Sequence, residues 1–257
     1  MANIIQYDEW TDETAQADER SAASGASDGA EIIKIPDGRN AFRFLPPLSG
    51  WGGKPFSVVW QHWFTDHDSK RFPVPCPRKN HSKRCPVCER AAAMTRTGNP
   101  VDADAAKALD PSVRVFANVL VRGSEDEGPK ALSMPFSMVY KRLLAIRNDP
   151  DLGGNFTRAD EGFDIIIKRT GQGLNTEYEV GASKHTSPLT ELELGMVGQQ
   201  LDVHKLAQMP TREAMERALG VIGPEVLDVS PPSGFNPAPR QLPNRTAADD
   251  LGYDGLS

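Results

Sequence analysis

The sequence predicts a mainly β, α+β protein: a small Greek-key barrel or a related sheet, with a few short helices. Three observations carry this. Runs of alternating apolar and polar residues, rich in β-branched and aromatic types, recur between Gly, Pro and Asn turns and give about seven short strands. Helical periodicity is confined to short stretches. All three cysteines, Cys76, Cys85 and Cys88, fall within thirteen positions, in a segment (residues 61–88) too long for a hairpin loop. Such a segment needs a staple of its own.

Residues 11–30 are small, acidic and almost free of large apolar groups after Trp10, so residues 1–30 are expected to form a disordered acidic arm. From Glu31 the chain reads as structure. EIIKI (31–35) is a strand, PDGRN a turn, and AFRFL (41–45) a second strand whose Phe42 and Phe44 alternate with Arg43. PFSVVWQHWF (55–64) is a third strand running into the cysteine segment. ERAAAMTR (89–96) and VDADAAKAL (101–109) are short helices. VRVFANVLV (113–121) and KALSM (130–134) are strands about an acidic turn. Residues 136–149 have apolar positions at 139, 143, 144 and 146, a helical period. FDIIIKRTGQGLNTEYEVG (163–181) is a hairpin. TELELGMVGQQL (190–201) and TREAMERALG (211–220) are short helices. The core is therefore expected over residues 31–228. Residues 229–257, dense in Pro and Gly and ending in three Asp without a base, form a flexible linker and an acidic tip.

Net charge is −6, which argues against a nucleic-acid partner until its distribution is read. Residues 1–30 carry seven acids and one base, and residues 185–257 ten acids and five bases. Residues 31–184 carry 23 bases and 18 acids. A basic middle between acidic ends is the electrostatic footprint of a polyanion ligand. Mean hydropathy is −0.46, and no apolar run approaches the ~20 residues needed to cross a bilayer. With no secretory signal at the N-terminus and an odd number of thiols, a reducing cytoplasm is the expected setting.

C-P-V-C at 85–88 is a knuckle that directs two sulfurs at one point, and Cys76 supplies a third nine positions earlier. Cys₃His is a standard set for structural zinc. Three histidines are near in sequence. His62 sits in a rigid strand-like run, His81 lies between cysteines on a Lys/Arg-rich loop, and His67 is flanked by Asp66 and Asp68. Spacing favours His62 over His81 only slightly.

Four blocks, in order, resemble the single-stranded DNA-binding (helix-destabilising) proteins of T-even-type phages. EIIKIPDGRNAFRFLPP and PFSVVWQHWF resemble that family's opening strands, where an RFLP-like segment precedes PF and a liganding His. Cys76 with CPVC resembles its Cys₃His site. VFANVLVRGSEDEGPKAL resembles its aromatic-Ala-Asn strand and acidic turn, and GFDIIIKRTGQGLNTEY its late basic hairpin. The likeness covers about residues 31–181.

The resemblance implies an oligonucleotide-binding (OB-fold-like) Greek-key barrel with a zinc subdomain inserted at about residues 60–110. It implies one structural Zn2+ on His62, Cys76, Cys85 and Cys88. The implied function is coating single-stranded DNA, largely without sequence preference, in replication, recombination and repair. The acidic C-terminal tip would meet replication or recombination proteins, and self-association along the DNA is a further expectation. The family's N-terminal arm is short and basic, whereas residues 1–30 here are acidic.

Single strands are gripped by Lys and Arg along the phosphates and by aromatic faces on the bases. The candidate phosphate contacts are Arg43, Lys70, Arg71, Arg114, Lys141, Arg142, Lys168 and Arg169. The candidate stacking residues are Phe72, Phe116 and Tyr178, with Tyr140 assigned to the core. Two rival readings remain: a zinc-stapled module that binds proteins or duplex DNA, and a metal-dependent nuclease built on His62, Asp66, His67 and Asp68. The nuclease requires oxygen ligands and an open coordination position, which three thiolates and an imidazole would leave no room for. A non-enzymatic protein is therefore expected.

Overall fold

The computed structural model describes residues 32–65, 69–152 and 154–222. The acidic arm, the C-terminal linker and tip, and the trio Asp66, His67 and Asp68 lie outside them. Among the described residues eight strands form one mixed sheet: β1 (Ile32–Lys34), β2 (Gly38–Phe44), β3 (Phe56–Thr65), β4 (Arg71–Pro75), β5 (Ser112–Val121), β6 (Lys130–Pro135), β7 (Phe163–Thr170) and β8 (Glu177–Thr186). The mainly β class is therefore as the sequence predicts.

β5 is the hinge of the topology. One edge pairs with β6 over residues 114–119. The other pairs first with β3 over residues 112–117 and then with β2 over residues 119–121. Past β5 the sheet divides into two arms. One is β3–β4; the other is β2–β7–β8. The main core is built from Phe42, Phe44, Phe56, Val115, Leu132, Phe156 and Ile165, closed by Tyr140 and Leu143.

Two features of the strands go beyond the sequence reading. β1 does not fold back onto β2 through the 36–40 turn; it runs parallel to β6, with Ile33 opposite Leu132. β2 already has β5 on one edge and β7 on the other, so no edge is left for β1. The eighth strand is β4, RFPVP, which the sequence reading left inside the cysteine segment. It carries two prolines, and it pairs only with β3, an edge position where a missing N–H costs no ladder bond.

The predicted helices are present as α2 (Pro86–Arg96), α3 (Pro100–Ala108), α4 (Lys141–Asn148), α5 (Glu191–Val197) and α6 (Arg212–Ile222), and a further short helix that the sequence reading does not include, α1 (Pro77–His81), precedes them. The helical stretch from 136 opens as a π-turn, Phe136–Tyr140, before α4. The extra residue in that turn buries Val139 and Tyr140 together.

Arg43 is a correction at the level of a side chain. It is 0% exposed. Nε donates to the Ser187 carbonyl at 2.8 Å, Nη1 to those of Phe44 (2.8 Å) and Phe156 (2.7 Å), and Nη2 to that of Arg158. Burial pushes its pKa down to about 10. Arg43 thus pins the 156–162 and 187 segments to β2, and it is not available to phosphate. Gly162 is required beside it, because a Cβ there would run into the guanidinium and the Phe156 carbonyl.

Candidate metal centre and nucleic-acid interface

Local sequence builds the metal centre. Cys76-Pro77 and Cys85-Pro86 each place Cys at a helix N-cap in extended conformation and Pro in the first turn. Pro is preset for that position and its missing N–H would be unpaired there anyway. Neither Cys side chain caps its helix, so both sulfurs are free to turn inward. Cys88 lies three residues beyond Cys85 on α2 and shares its face. His62 comes from β3. Alternation along that strand puts Phe56, Val58, Trp60, His62 and Phe64 on one face. The first two pack in the main core and Trp60 and Phe64 in a second apolar cluster, with Val74, Cys76, Cys85, Val87 and Ala218.

His62 Nε2 lies 3.3 Å from Cys85 Sγ and 3.7 Å from Cys88 Sγ, and Cys76 Sγ lies 3.6 Å from Cys88 Sγ. All four donor atoms fall within 4.8 Å of one another. Zn–S bonds of about 2.3 Å at tetrahedral angles put sulfurs about 3.8 Å apart, so the donor set fits zinc. His62 Nδ1 sits 2.7 Å from the Leu109 carbonyl. A carbonyl only accepts, so Nδ1 carries the proton and Nε2 keeps its lone pair for a metal.

The electrostatics of the donor set ask for a cation. The Cys85 hydrogen bond drives Cys76 far below the usual thiol range, and the bond to Cys76 drives Cys88 far above it. Three thiolates at this separation are not sustained without a positive charge among them. Burial lowers the proton affinity of His62, but the Cys76 and Cys85 sulfurs raise it, to about 9 on balance. The residues that would hold zinc are His62, Cys76, Cys85 and Cys88.

The outer face of β3, β4 and β5 carries a different chemistry. Trp63 adjoins His62 in sequence and so points away from the metal. It belongs to none of the apolar clusters. Its Nε1 donates to Ser112 Oγ at 3.0 Å, and the Arg71 guanidinium lies 4.7 Å from its ring centroid. Arg114 is opposite Val59 on β3, on this same outer face. Burial, more than anything else, weakens its hold on its proton, with Arg71 adding to the effect and Tyr178 opposing it. Arg71 and Tyr178 are thus each within electrostatic reach of Arg114. Farther along this face, Val203 and Ala207 of the 3-10 turn Val203–Ala207 cover Val59 and Phe116. The covering segment is tied down by Asn118, which donates from Nδ2 to the Leu201 carbonyl (2.8 Å) and accepts from its N–H (3.0 Å).

The structure therefore sorts the predicted contacts. Arg71 and Arg114 are within electrostatic reach of each other, and Lys70 adjoins Arg71 in sequence. Phe116, 5% exposed, is core beneath the covering turn, which removes it as a stacking residue. Phe72 points to the metal side, stacked on Phe64 (5.6 Å) and beneath Arg217 (4.0 Å). Tyr178 is half-buried against the main core, and Tyr140 is buried. Lys168 pairs with Glu179 (3.1 Å) and Arg169 with Asp37 (3.0 Å). Lys141 and Arg142 are exposed on α4. Trp63 was missed by the sequence reading, although a signal for it was there: a liganding His62 facing inward forces its neighbour outward.

No helix among the described residues is long and apolar enough to cross a membrane. Among curated proteins none matches the chain. The family model described as gp32 DNA binding protein like matches residues 36–219, which takes in β2 to β8, the four metal-site residues and most of α6. That match spans well over half of the 257 residues, so the chain belongs to the gp32-like DNA-binding proteins.

Proposed function

We propose that this protein binds single-stranded DNA without marked sequence preference, coating it during replication, recombination and repair. The observation that carries the reading is the outer face of β3–β5. It offers an indole outside the apolar core, Trp63, with the Arg71 guanidinium on its ring and Arg114 on the same face of the sheet. A single strand exposes both things such a face can hold, base planes and phosphates. A duplex hides the first. The divided sheet, curled about β5, serves as an OB-like barrel, and residues 31–228 as one core with a zinc subdomain at about 60–110. The bound Zn2+ is structural, because His and three Cys fill its tetrahedron and leave no position for water or substrate. The protein acts without catalysis, in the cytoplasm. Its acidic C-terminal tip serves contacts with replication or recombination proteins, and neighbouring copies associate along the strand.

The test is a titration of intrinsic tryptophan fluorescence with oligo-dT and with duplex of equal length at fixed salt. Tighter binding and deeper quenching by oligo-dT are expected. Equal affinity for both would favour the duplex-binding module, and binding to neither the protein-interaction module.

A further inference from the structure

The metal knuckle carries cations that the outer face does not use. Residues 69–90 hold seven bases and one acid, Glu89. A zinc ion with three thiolates adds only one negative charge to this. Arg84 holds Glu89 along one edge of its guanidinium, Nε donating to Oε1 at 2.8 Å and Nη2 to Oε2 at 3.0 Å. Arg78 is within electrostatic reach of the same carboxylate. Arg78, Lys79 and Lys83 are exposed on α1 and just beyond it.

Where α1 lies decides what these cations can reach. It continues along the edge of β3 where β4 ends. The Asn80 side chain accepts from the Trp60 N–H (3.0 Å) and donates to the Trp60 carbonyl (2.9 Å), which also accepts from the Cys76 N–H (2.8 Å). Lys79 then lays its ammonium 5.1 Å from the Trp60 ring centroid. Trp60 and Trp63 are three residues apart on one strand, so their rings lie on opposite faces of the sheet. The two aromatic–cation pairs cannot belong to one straight run of stacked bases. They also differ in kind. Trp60 is packed into the apolar cluster of the metal site and has Lys79 over it. Trp63 lies outside every such cluster. The knuckle thus offers positive charge without an available aromatic plane. That fits a ligand that presents phosphates and conceals its bases.

We propose that Arg78, Lys79 and Lys83 form a second, separate nucleic-acid contact that takes the sugar–phosphate backbone of duplex DNA flanking the bound single strand. It rests on the single-strand reading above and extends it to the junction where a covered strand meets duplex. A metal held by Cys76 would anchor the start of this segment, since the Lys79 N–H donates to the Cys76 sulfur.

The experiment compares three ligands at several salt concentrations: oligo-dT, the same oligo-dT joined to a hairpin duplex, and the blunt hairpin alone. The wild type should bind the junction tighter than oligo-dT. The Arg78→Ala/Lys79→Ala/Lys83→Ala variant should bind oligo-dT unchanged and lose the junction's advantage. Its log–log salt slope for the junction should become shallower by about 3, near 0.9 per lost phosphate contact. Zinc content and Tm are measured on each protein. Lys83→Glu alone serves as a second variant, its hydrogen bond to the Pro77 carbonyl being through the backbone (3.1 Å). It should weaken the junction in the same sense.

Several outcomes would overturn the proposal. If oligo-dT binding falls in step with junction binding, these cations line the single-strand groove. If the wild type binds junction and oligo-dT equally, no second contact exists, and tight oligo-dT binding would leave the single-strand reading standing. If it binds no oligo-dT, that reading falls first. If a peptide of residues 1–30 binds the wild type but not the triple variant, and junction affinity is the same in both, the knuckle takes an acidic peptide.

Discussion

Two neighbouring side chains, His62 and Trp63, divide the work of β3. His62 turns inward with its Nδ1 committed to the Leu109 carbonyl, and Trp63 turns outward with its Nε1 committed to Ser112. Trp63→Ala should therefore cost single-strand affinity by the worth of one stacked base, about 1–3 kcal/mol, with Tm nearly unchanged. Trp60→Ala should do the reverse, because that ring is packed into the metal-site cluster. Measuring oligo-dT affinity and Tm on both variants checks this, and equal effects on affinity would undo the assignment of faces. At the metal, Cys85→Ser replaces a soft thiolate with a hydroxyl that zinc holds poorly. Bound zinc and Tm should fall together, since metal-binding free energy here is folding free energy. A variant that keeps one zinc per chain at unchanged Tm would remove Cys85 from the ligand set.

At the scale of elements, what the sequence made legible was periodicity and punctuation. The 113–121 run, the 163–181 hairpin and the short helices could be read because each satisfies a local rule. The C-P-V-C spacing and the clustering of three cysteines in thirteen positions did the same for the metal centre, while the N-cap placement of Cys76 and Cys85 emerged only with the fold. β4 could not be read, because the rule that admits its prolines concerns an edge, and edges belong to tertiary pairing. Nor could the role of Arg43 be read. A lone Arg alternating with Phe looks like a solvent face until the carbonyls of residues 156, 158 and 187, over a hundred positions away, arrive to occupy it. α5 shows a rule that was legible but whose partner was not. Thr190 and Glu193 form a capping box, and Glu193 is also held by Arg122, which pairs with Asp164 at 3.0 Å as well. Burial raises the Glu193 carboxyl, but the Thr190 N–H and Arg122 outweigh it and hold the pKa below 4.5. A depressed carboxylate contributes stability above its unfolded pKa and loses it as pH falls through the folded value. Glu193→Gln should thus cost about 1–3 kcal/mol at pH 7. The Tm difference from wild type should shrink steadily as pH drops below about 4.5. A difference that stays constant into strong acid would show that the charge contributes nothing.

Across the whole molecule the controlling quantity is the arrangement of charge. Residues 31–184 are net basic and both flanks net acidic. A chain with overall charge −6 can still bind a polyanion, because fields at working salt are local, with a Debye length of about 10 Å at 0.1 M. If Lys70, Arg71 and Arg114 each neutralise one phosphate, the log–log salt slope for oligo-dT should be near −2, at about 0.7 per contact for single strands. If the acidic tip reaches these cations, it adds a term of the opposite sense. Residues 246–257 carry three Asp and no base, and a tethered anion competes with DNA for the same cations at a high effective concentration. Deleting them should leave oligo-dT affinity unchanged at high salt, where both interactions are screened, and raise it at low salt. The wild-type and truncated proteins should therefore differ in salt slope, the truncated one steeper. Affinity that falls on truncation at any salt would mean that the tip supports DNA binding rather than opposing it.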